Sequence, residues 1–127
     1  ENGCMYLILL GGSIVGTVGL NSIDWVNRRF TIGYWLSEDS TGNGIVTKCC
    51  ARIIDHCFTD LDLHRATILV AVENSISRAV PERLGMSLEG IEKDREWLYD
   101  HFVDAAIYGV TAPNWNVIRN QSGHGHQ

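Results

Sequence analysis

The sequence predicts an α+β fold in which helices pack on one mixed, strongly twisted sheet, in the order β-β-β-α-β-α-β-β. Short runs of apolar and β-branched residues alternate with glycine-bearing turns, which is the pattern of strands joined by hairpins. One long segment has apolar residues at three- and four-residue spacings and predicts an amphipathic helix. The run that follows it, Arg65–Val72, is apolar on both faces, as a central covered strand is.

Eight elements account for most of the chain. They are predicted as strands Met5–Leu10, Ser13–Leu20 and Phe30–Leu36, helix Ile45–Asp60, strand Arg65–Val72, helix Ile76–Leu84, and strands Met86–Tyr99 and Phe102–Val110. The helix between the third and fourth strands lets those two lie parallel, because a parallel pair needs a crossover connection. Asn21–Asn27 is predicted as a loop. Residues 1–111 are predicted as one domain and residues 112–127 as a tail.

Composition and charge exclude several classes of protein. The chain has 127 residues, of which 45% are hydrophobic and 20% charged, as expected for one ordinary globular domain. No apolar run approaches the about 20 residues that span a bilayer, and no signal peptide is visible, so we expect a cytoplasmic location and no membrane partner. The net charge of -5 and the scattered Lys and Arg argue against a nucleic-acid partner.

The long predicted helix carries three of the four cysteines. Cys49, Cys50 and Cys57 fall on its apolar stripe and are interpreted as small core residues. A zinc site would need further ligands at a recognisable spacing on other elements, and the sequence offers none. We therefore predict no metal.

Thr41–Thr47 is the most informative segment, because it places two glycines between a strand end and a helix start. Glycine permits close approach to the backbone, and the first helical turn offers unpaired N–H groups, which together are typical of a pyrophosphate site. Glycines also begin helices for turn geometry alone. The dinucleotide fingerprint is excluded, since Gly11-Gly12 is followed by serine and then by a strand. A P-loop is excluded because no Gly-Lys-Ser/Thr is present.

A series of short motifs resembles the GNAT superfamily of N-acetyltransferases, in particular the branch that includes the ribosomal-protein-serine acetyltransferases. In chain order the motifs are Tyr34-Trp35-Leu36, Gly42-Asn43-Gly44-Ile45, Leu63-His64-Arg65, Val72-Glu73-Asn74, Ser77-Arg78, Pro81-Glu82-Arg83-Leu84-Gly85, Leu88-Glu89-Gly90 and Trp97-Leu98. The order and spacing of the series are more specific than any single motif. The resemblance implies a three-layer GNAT-like fold. The usual N-terminal strand and two helices of that fold have no counterpart before Glu1, so we expect a truncated domain.

The resemblance also implies acetyl-CoA as the co-substrate. Its pantetheine arm would insert where Phe30–Leu36 and Arg65–Val72 splay apart, and its pyrophosphate would lie on the first amides of the long helix. The cofactor-binding residues implied in this way are Trp35, Leu36, Gly42, Asn43, Gly44, Ile45, Val46, Thr47 and Asn74.

The implied reaction is transfer of the acetyl group to a primary amine, either a protein N-terminal α-amino group or a small amine. The catalytic residues of the branch map to Glu96, as the base, and to Ser77, as the hydrogen-bond donor to the leaving thiolate. Each residue also has a purely structural interpretation. Glu96 is then a strand carboxylate paired with Lys93 or Arg95, and Ser77 is one of the serines that commonly cap helices.

Departures from the family pattern keep a second class of function open. Thr41 stands where the pattern has Gln or Arg, and Val46 where it has Gly or Ala, although members of this branch often carry a larger apolar residue there. Pro81, seven residues after Asn74, stands where many members have a general-acid Tyr. Thr41, Pro81 and the absent N-terminal elements leave a non-catalytic acyl-CoA-binding or interaction domain as the alternative. A homodimer also stays open.

Overall fold

A computed structural model of the chain describes residues 4–37 and 43–125. In these ranges it contains six strands and three helices: β1 (Cys4–Leu10), β2 (Ser13–Asp24), β3 (Arg29–Leu36), α1 (Asn43–Thr59), β4 (Arg65–Ala71), α2 (Ser75–Arg83), β5 (Ser87–Leu98), β6 (His101–Thr111) and α3 (Ala112–Gly125). The predicted α+β class and the order of the first eight elements are confirmed. None of the helices in the described ranges is long and apolar enough to cross a membrane.

The six strands form one sheet in the order β1-β2-β3-β4-β6-β5. Neighbouring strands are antiparallel except β3 and β4, which are parallel, as the crossover through α1 requires. β3 and β4 pair only from Arg29 with Arg65 to Ile32 with Ile68. Both strands continue past this point, β3 to Leu36 and β4 to Ala71, without pairing to each other. The parallel pair therefore opens at its carboxyl end.

Helix α1 packs its apolar stripe against the sheet. Val46, Cys50, Ile54 and Cys57 are fully buried at spacings of four, four and three residues, so they lie on one face. Phe58 continues this face and meets Phe30 of β3 edge to face, with ring centroids 5.6 Å apart. The predicted packing of Cys50 and Cys57 as core residues is confirmed, while Cys49 is half-buried.

Burial should make two of these cysteines unreactive. It raises the pKa of Cys50 to about 12 and that of Cys57 to about 11, so both thiols stay protonated at pH 8. Reaction with a disulfide reagent requires the thiolate form. We expect an aromatic disulfide reagent at pH 8 to modify Cys50 and Cys57 only after denaturation, as read by mass mapping. Modification of either thiol in the folded protein as fast as that of Cys49 would contradict this packing.

The predicted loop Asn21–Asn27 is wrong for its first half, because β2 continues to Asp24. A register shift after Leu20 absorbs one residue, and β2 then pairs with β3 again, with Ser22 opposite Thr31. The hydroxyl oxygens of Ser22 and Thr31 lie 2.9 Å apart in a hydrogen bond. The polar residues of this segment predicted a loop, but pairing with β3 keeps the segment in a strand.

Residues 112–125 of the predicted tail form helix α3. The Ala112 N–H donates to the His64 carbonyl at 2.8 Å, which fixes the start of the helix beside β4. Trp115 is buried in the core, and its Nε1 donates to Asp55 Oδ1 on α1 at 2.8 Å. Helix α3 has a weak signal in the sequence, because its apolar residues are few and the stretch after them is rich in Asn, Ser and Gly.

Candidate functional site

A cavity of about 560 Å³ lies where β3 and β4 separate. Its lining comes from β3, β4, the start of α2 and the end of β5, and consists of Tyr34, Trp35, Leu69, Val70, Ala71, Glu73, Asn74, Ser77, Glu96, Leu98 and Tyr99. Backbone N–H and C=O groups that would pair in a closed sheet face this opening instead. They must find partners elsewhere, and an extended ligand would supply them.

A second cavity of about 320 Å³ adjoins the first at Tyr34, Trp35 and Leu69, which line both. Its remaining wall comes from β1, β2 and the middle of β3, through Met5, Thr17, Asn21, Thr31, Ile32 and Gly33. The open end of the β3–β4 pair is thus bordered by two cavities that share three residues. Two reactants could approach the same point from separate cavities.

Helix α2 presents Asn74 and Ser77 to the larger cavity. Asn74 is the N-cap: its Oδ1 accepts the Ser77 N–H at 3.0 Å, and its carbonyl accepts the Arg78 N–H at 2.9 Å. Ser77 is only 8% exposed and lines the cavity. Asn74 therefore caps α2 and also borders the cavity.

Arg78 and Tyr108 hold α2 against the sheet. Arg78 Nη1 donates to the carbonyl of Val72, just beyond β4, at 3.2 Å, and its Nε donates to the Tyr108 hydroxyl at 3.0 Å. That hydroxyl donates in turn to Glu82 Oε2 at 2.8 Å. The helix that carries Asn74 and Ser77 is thereby tied both to β6 and to the end of β4.

Pro81 does not end α2, which continues to Arg83. A proline lacks the N–H that would donate to the carbonyl four residues earlier, here that of Ser77. The Tyr34 hydroxyl donates to this carbonyl instead, at 2.7 Å. The position where many family members carry a general-acid Tyr is thus filled by a buried proline that opens one helical acceptor.

Glu96 lines the same cavity from β5. In the described part of the chain neither Lys93 nor Arg95 pairs with it, because Arg95 forms its ion pair with Glu92 at 3.1 Å. The structural interpretation of Glu96 as the partner of one of these cations is therefore wrong. Its carboxylate lies in an exposed part of the strand and faces the opening beside Leu98 and Tyr99.

An irregularity in β5 sets the position of Glu96. Glu92 lies opposite Ala105 and Glu96 opposite Val103, so residues 93–95 face Asp104 alone. Asp94 has a positive φ of 50°, and its N–H donates to Asp104 Oδ1 at 2.9 Å. Such bulges re-aim the side chains that follow them.

Asp104 also links this bulge to the open strand. Its carbonyl accepts the Val72 N–H at 2.8 Å, directly after β4. The bulge that precedes Glu96 is therefore fixed beside the open end of the β3–β4 pair.

The start of α1 was predicted to bind the phosphates. Gly42 lies outside the described residues, and α1 begins at Asn43, so its first amides come from residues 43–46. Gly44 is exposed, and a Cβ added there would meet nothing within 4 Å. Ile45 and Thr47 are half-buried. Among the described residues, no side chain or backbone atom beyond the chain neighbours and helix backbone of Gly44 lies within 4 Å of the position of that Cβ.

Two of the predicted cofactor residues point into the core. Val46 is fully buried, and its Cγ2 lies 3.2 Å from where a Cβ on Gly16 would be. Leu36 is buried as well, whereas Trp35 is 52% exposed and lines both cavities. Val46 and Leu36 can therefore contact a cofactor only through their backbones, because their side chains are buried. The structure therefore brings together Trp35, Asn74, Ser77 and Glu96 in one cavity and leaves residues 44–47 outside its lining.

The family model described as an acetyltransferase (GNAT) domain matches residues 1–87. The chain belongs to this family. It is 38% identical over 114 residues to "Putative ribosomal N-acetyltransferase YdaF" of Bacillus subtilis (strain 168), covering 90% of this chain and 62% of the relative. It is 34% identical over 104 residues to the ribosomal-protein-serine acetyltransferase of Escherichia coli (strain K12), covering 82% and 58%. The GNAT family and fold predicted from the sequence motifs are confirmed.

A solved GNAT structure superposes on most of the chain. Mycobacterium smegmatis RimJ in complex with CoA-disulfide gives a TM-score of 0.78 at 31% identity, covering 96% of this chain and 61% of RimJ. The chain thus spans about six-tenths of the length of these relatives.

Several residues of this GNAT site were missed by sequence reasoning. Tyr34 was noted only as part of a motif, and Asp104 was not singled out within the predicted strand Phe102–Val110. The signal for Asp104 was weak but present: Asp94, in the charged run Glu92–Glu96, is a residue type that strands disfavour and that tolerates positive φ. The signal for Tyr34 was Pro81, since a proline beyond the first turn of a helix removes the N–H that would donate to the carbonyl four residues earlier.

Proposed function

We propose that this GNAT chain transfers the acetyl group of acetyl-CoA to a primary amine, with a protein N-terminal α-amino group as the favoured acceptor. The observation that carries the proposal is the opening of the β3–β4 pair onto a cavity that contains Trp35, Asn74, Ser77 and Glu96. The name of the Escherichia coli relative, a ribosomal-protein-serine acetyltransferase, supports a protein acceptor.

Acetyl-CoA suits the residues that border the opening. The unpaired backbone edges of β3 and β4 would receive the amides of its pantetheine arm as a further strand would. The first amides of α1, which no described residue covers at Gly44, would receive the pyrophosphate. Trp35 and Asn74 border the same space, and acetyl-CoA supplies the thioester that is attacked.

The side chains of the cavity would then perform the transfer. Glu96 takes a proton from the acceptor ammonium, directly or through water, so that the neutral amine attacks the thioester carbonyl. A backbone N–H of the open strands donates to the carbonyl oxygen as it gains negative charge. The new C–N bond forms as the C–S bond breaks, the nitrogen gives up its second proton to the departing thiolate, directly or through water, and the Ser77 hydroxyl donates a hydrogen bond to that sulfur.

Acetyl-CoA should stabilise the folded chain, because a ligand that binds only the native state shifts unfolding by mass action. At a concentration of one hundred times Kd, the free energy of unfolding should rise by about 2.7 kcal/mol. Thermal unfolding with acetyl-CoA and with NAD measures this. A shift with acetyl-CoA no larger than with NAD would count against the proposed co-substrate.

Gly44→Glu provides the matched variant for this experiment. The added Cβ meets no described atom within 4 Å, and the carboxylate lies near a helix N-terminus, where negative charge is favourable, so folding should be preserved. Its charge should nevertheless repel the pyrophosphate and abolish the shift. Gly90→Glu on β5 adds the same charge at another open glycine and should keep the shift. Equal CoA affinity of both variants by calorimetry would place the phosphates elsewhere.

Turnover distinguishes an enzyme from a binding domain. Labelled acetyl-CoA is incubated with the chain and a panel of peptides and small amines, and the acetylated products are identified by mass spectrometry. Acetylation of peptide α-amino groups is the expected result. Binding of acetyl-CoA without transfer to any amine would select the non-catalytic alternative.

A further inference from the structure

Helix α2 contains a carbonyl that lacks its usual α-helical donor. Pro81 occupies the position whose N–H would donate to Ser77, four residues earlier, and Pro81 is buried inside the helix. A buried carbonyl without a donor is costly, so a donor from outside the helix is needed. The Tyr34 hydroxyl supplies it at 2.7 Å.

Tyr34 makes this bond from the open part of β3. It stands two residues beyond Ile32, the last residue of β3 that pairs with β4. Tyr34 lines both cavities, and its hydroxyl reaches the backbone of Ser77. A single side chain therefore connects the separated strand to the helix that carries Asn74 and Ser77.

The hydroxyl of Tyr34 stays protonated. Burial is the main cause that raises its pKa far above the usual value for tyrosine, with smaller contributions from Cys50 and Tyr108. Its proton is donated to the Ser77 carbonyl, so Tyr34 has no proton free for the leaving thiolate in this arrangement. Its role in the reaction is therefore to position other groups.

We propose that Tyr34 is a positioning residue, whose hydroxyl replaces the helical hydrogen bond removed by Pro81 and so fixes Ser77 at the opening between β3 and β4. The proposal rests on the proposed function for the role of Ser77 in acetyl transfer. The hydrogen bond itself and its coupling to Pro81 do not depend on that function.

A double-mutant cycle of Tyr34→Phe and Pro81→Ala tests the coupling. Phe keeps the ring and removes only the hydroxyl, while Ala at position 81 restores the N–H that the Ser77 carbonyl lacks. Comparing the effect of Tyr34→Phe in the two backgrounds cancels the packing change that Pro81→Ala causes by itself.

In the natural background, Tyr34→Phe should lower kcat about tenfold, with KM for the amine within about twofold of the parent value, since one buried acceptor loses its donor. In the Pro81→Ala background, the same substitution should change kcat by less than about twofold. Equal losses of kcat in the two backgrounds would overturn the proposal.

Amide hydrogen exchange separates this proposal from the proposed function. Exchange at Ser77 and Arg78, whose N–H groups bond to Asn74, should accelerate about tenfold in Tyr34→Phe and stay within about twofold in the Pro81→Ala background. Unchanged exchange in Tyr34→Phe would overturn the positioning role. If the parent protein acetylates no amine, the proposed function fails, and the exchange cycle alone decides the coupling.

Discussion

Replacing Glu96 by Gln should lower kcat for acetyl transfer by about 10²–10⁴ at pH 7, the usual contribution of a positioned general base. An acceptor amine reaches the protein as an ammonium ion, and it cannot attack the thioester until a proton is removed. Gln keeps the size of the side chain and its hydrogen bonding but cannot take that proton. Steady-state kinetics with the acceptor identified by the peptide panel measures the change.

The affinity for acetyl-CoA shows whether Glu96→Gln slows the chemical step or weakens the binding of the co-substrate. Because Glu96 borders the cavity and is not predicted to contact the cofactor, Kd should barely change in Glu96→Gln. Glu92→Gln is the matched control, since Glu92 precedes the bulge on the same strand and pairs with Arg95. It should keep nearly full kcat. Parental kcat in Glu96→Gln at pH 7 would assign the base to another group and overturn the mechanism, while leaving the acetyl-transfer assignment intact.

Most of the fold could be predicted because local patterns determine it. Glycine turns separate the first strands, a single amphipathic stripe marks α1, and the doubly apolar run Arg65–Val72 requires cover on both faces. The same stripe predicted the burial of Cys50 and Cys57. These signals need only the period of each element and the direction of its apolar face, which neighbouring residues carry.

The features that were missed depend on contacts between distant residues. The second half of β2 is a strand because of Thr31 and Phe30 across the ladder. The bulge before Glu96 depends on Asp104, which lies ten residues along the chain from Asp94. The carbonyl of Asp104 in turn accepts the N–H of Val72. No periodicity in a single segment reports such pairings, so the strand containing Glu96 was predicted as regular.

In the candidate site too, the motifs identified some residues, whereas the role of each side chain depends on contacts between distant segments. Glu96, Ser77, Asn74 and Trp35 were assigned through resemblance to a family, and the structure brings them to one cavity. What each side chain does there follows from burial, which the motifs do not encode. Val46 and Leu36 match motif positions, yet their side chains are core residues. The bond from Tyr34 to Ser77 requires knowing that β3 passes beside α2.

Trp115→Ala should lower the free energy of unfolding by about 3–5 kcal/mol, the usual cost of removing a large buried aromatic side chain. Trp115 is 2% exposed and is the main apolar anchor of α3, and Arg119 lies over its ring at 5.4 Å from the centroid. Asp55 accepts from Trp115 Nε1 and from Arg119 Nη2, so the substitution also takes one donor from this carboxylate. Urea unfolding followed by circular dichroism measures the change.

The control for Trp115 is a tryptophan that packs little. Trp25 is 54% exposed in the turn after β2. Its replacement by Ala should lower the free energy of unfolding by no more than about 0.5 kcal/mol. A total stability of about 5–15 kcal/mol is usual for a domain, so Trp115→Ala should remove a large part of it. A loss below about 1 kcal/mol in Trp115→Ala would show that α3 is not part of the cooperative core. A large loss would show the opposite, that the segment predicted as a tail belongs to the folding unit that holds the candidate site.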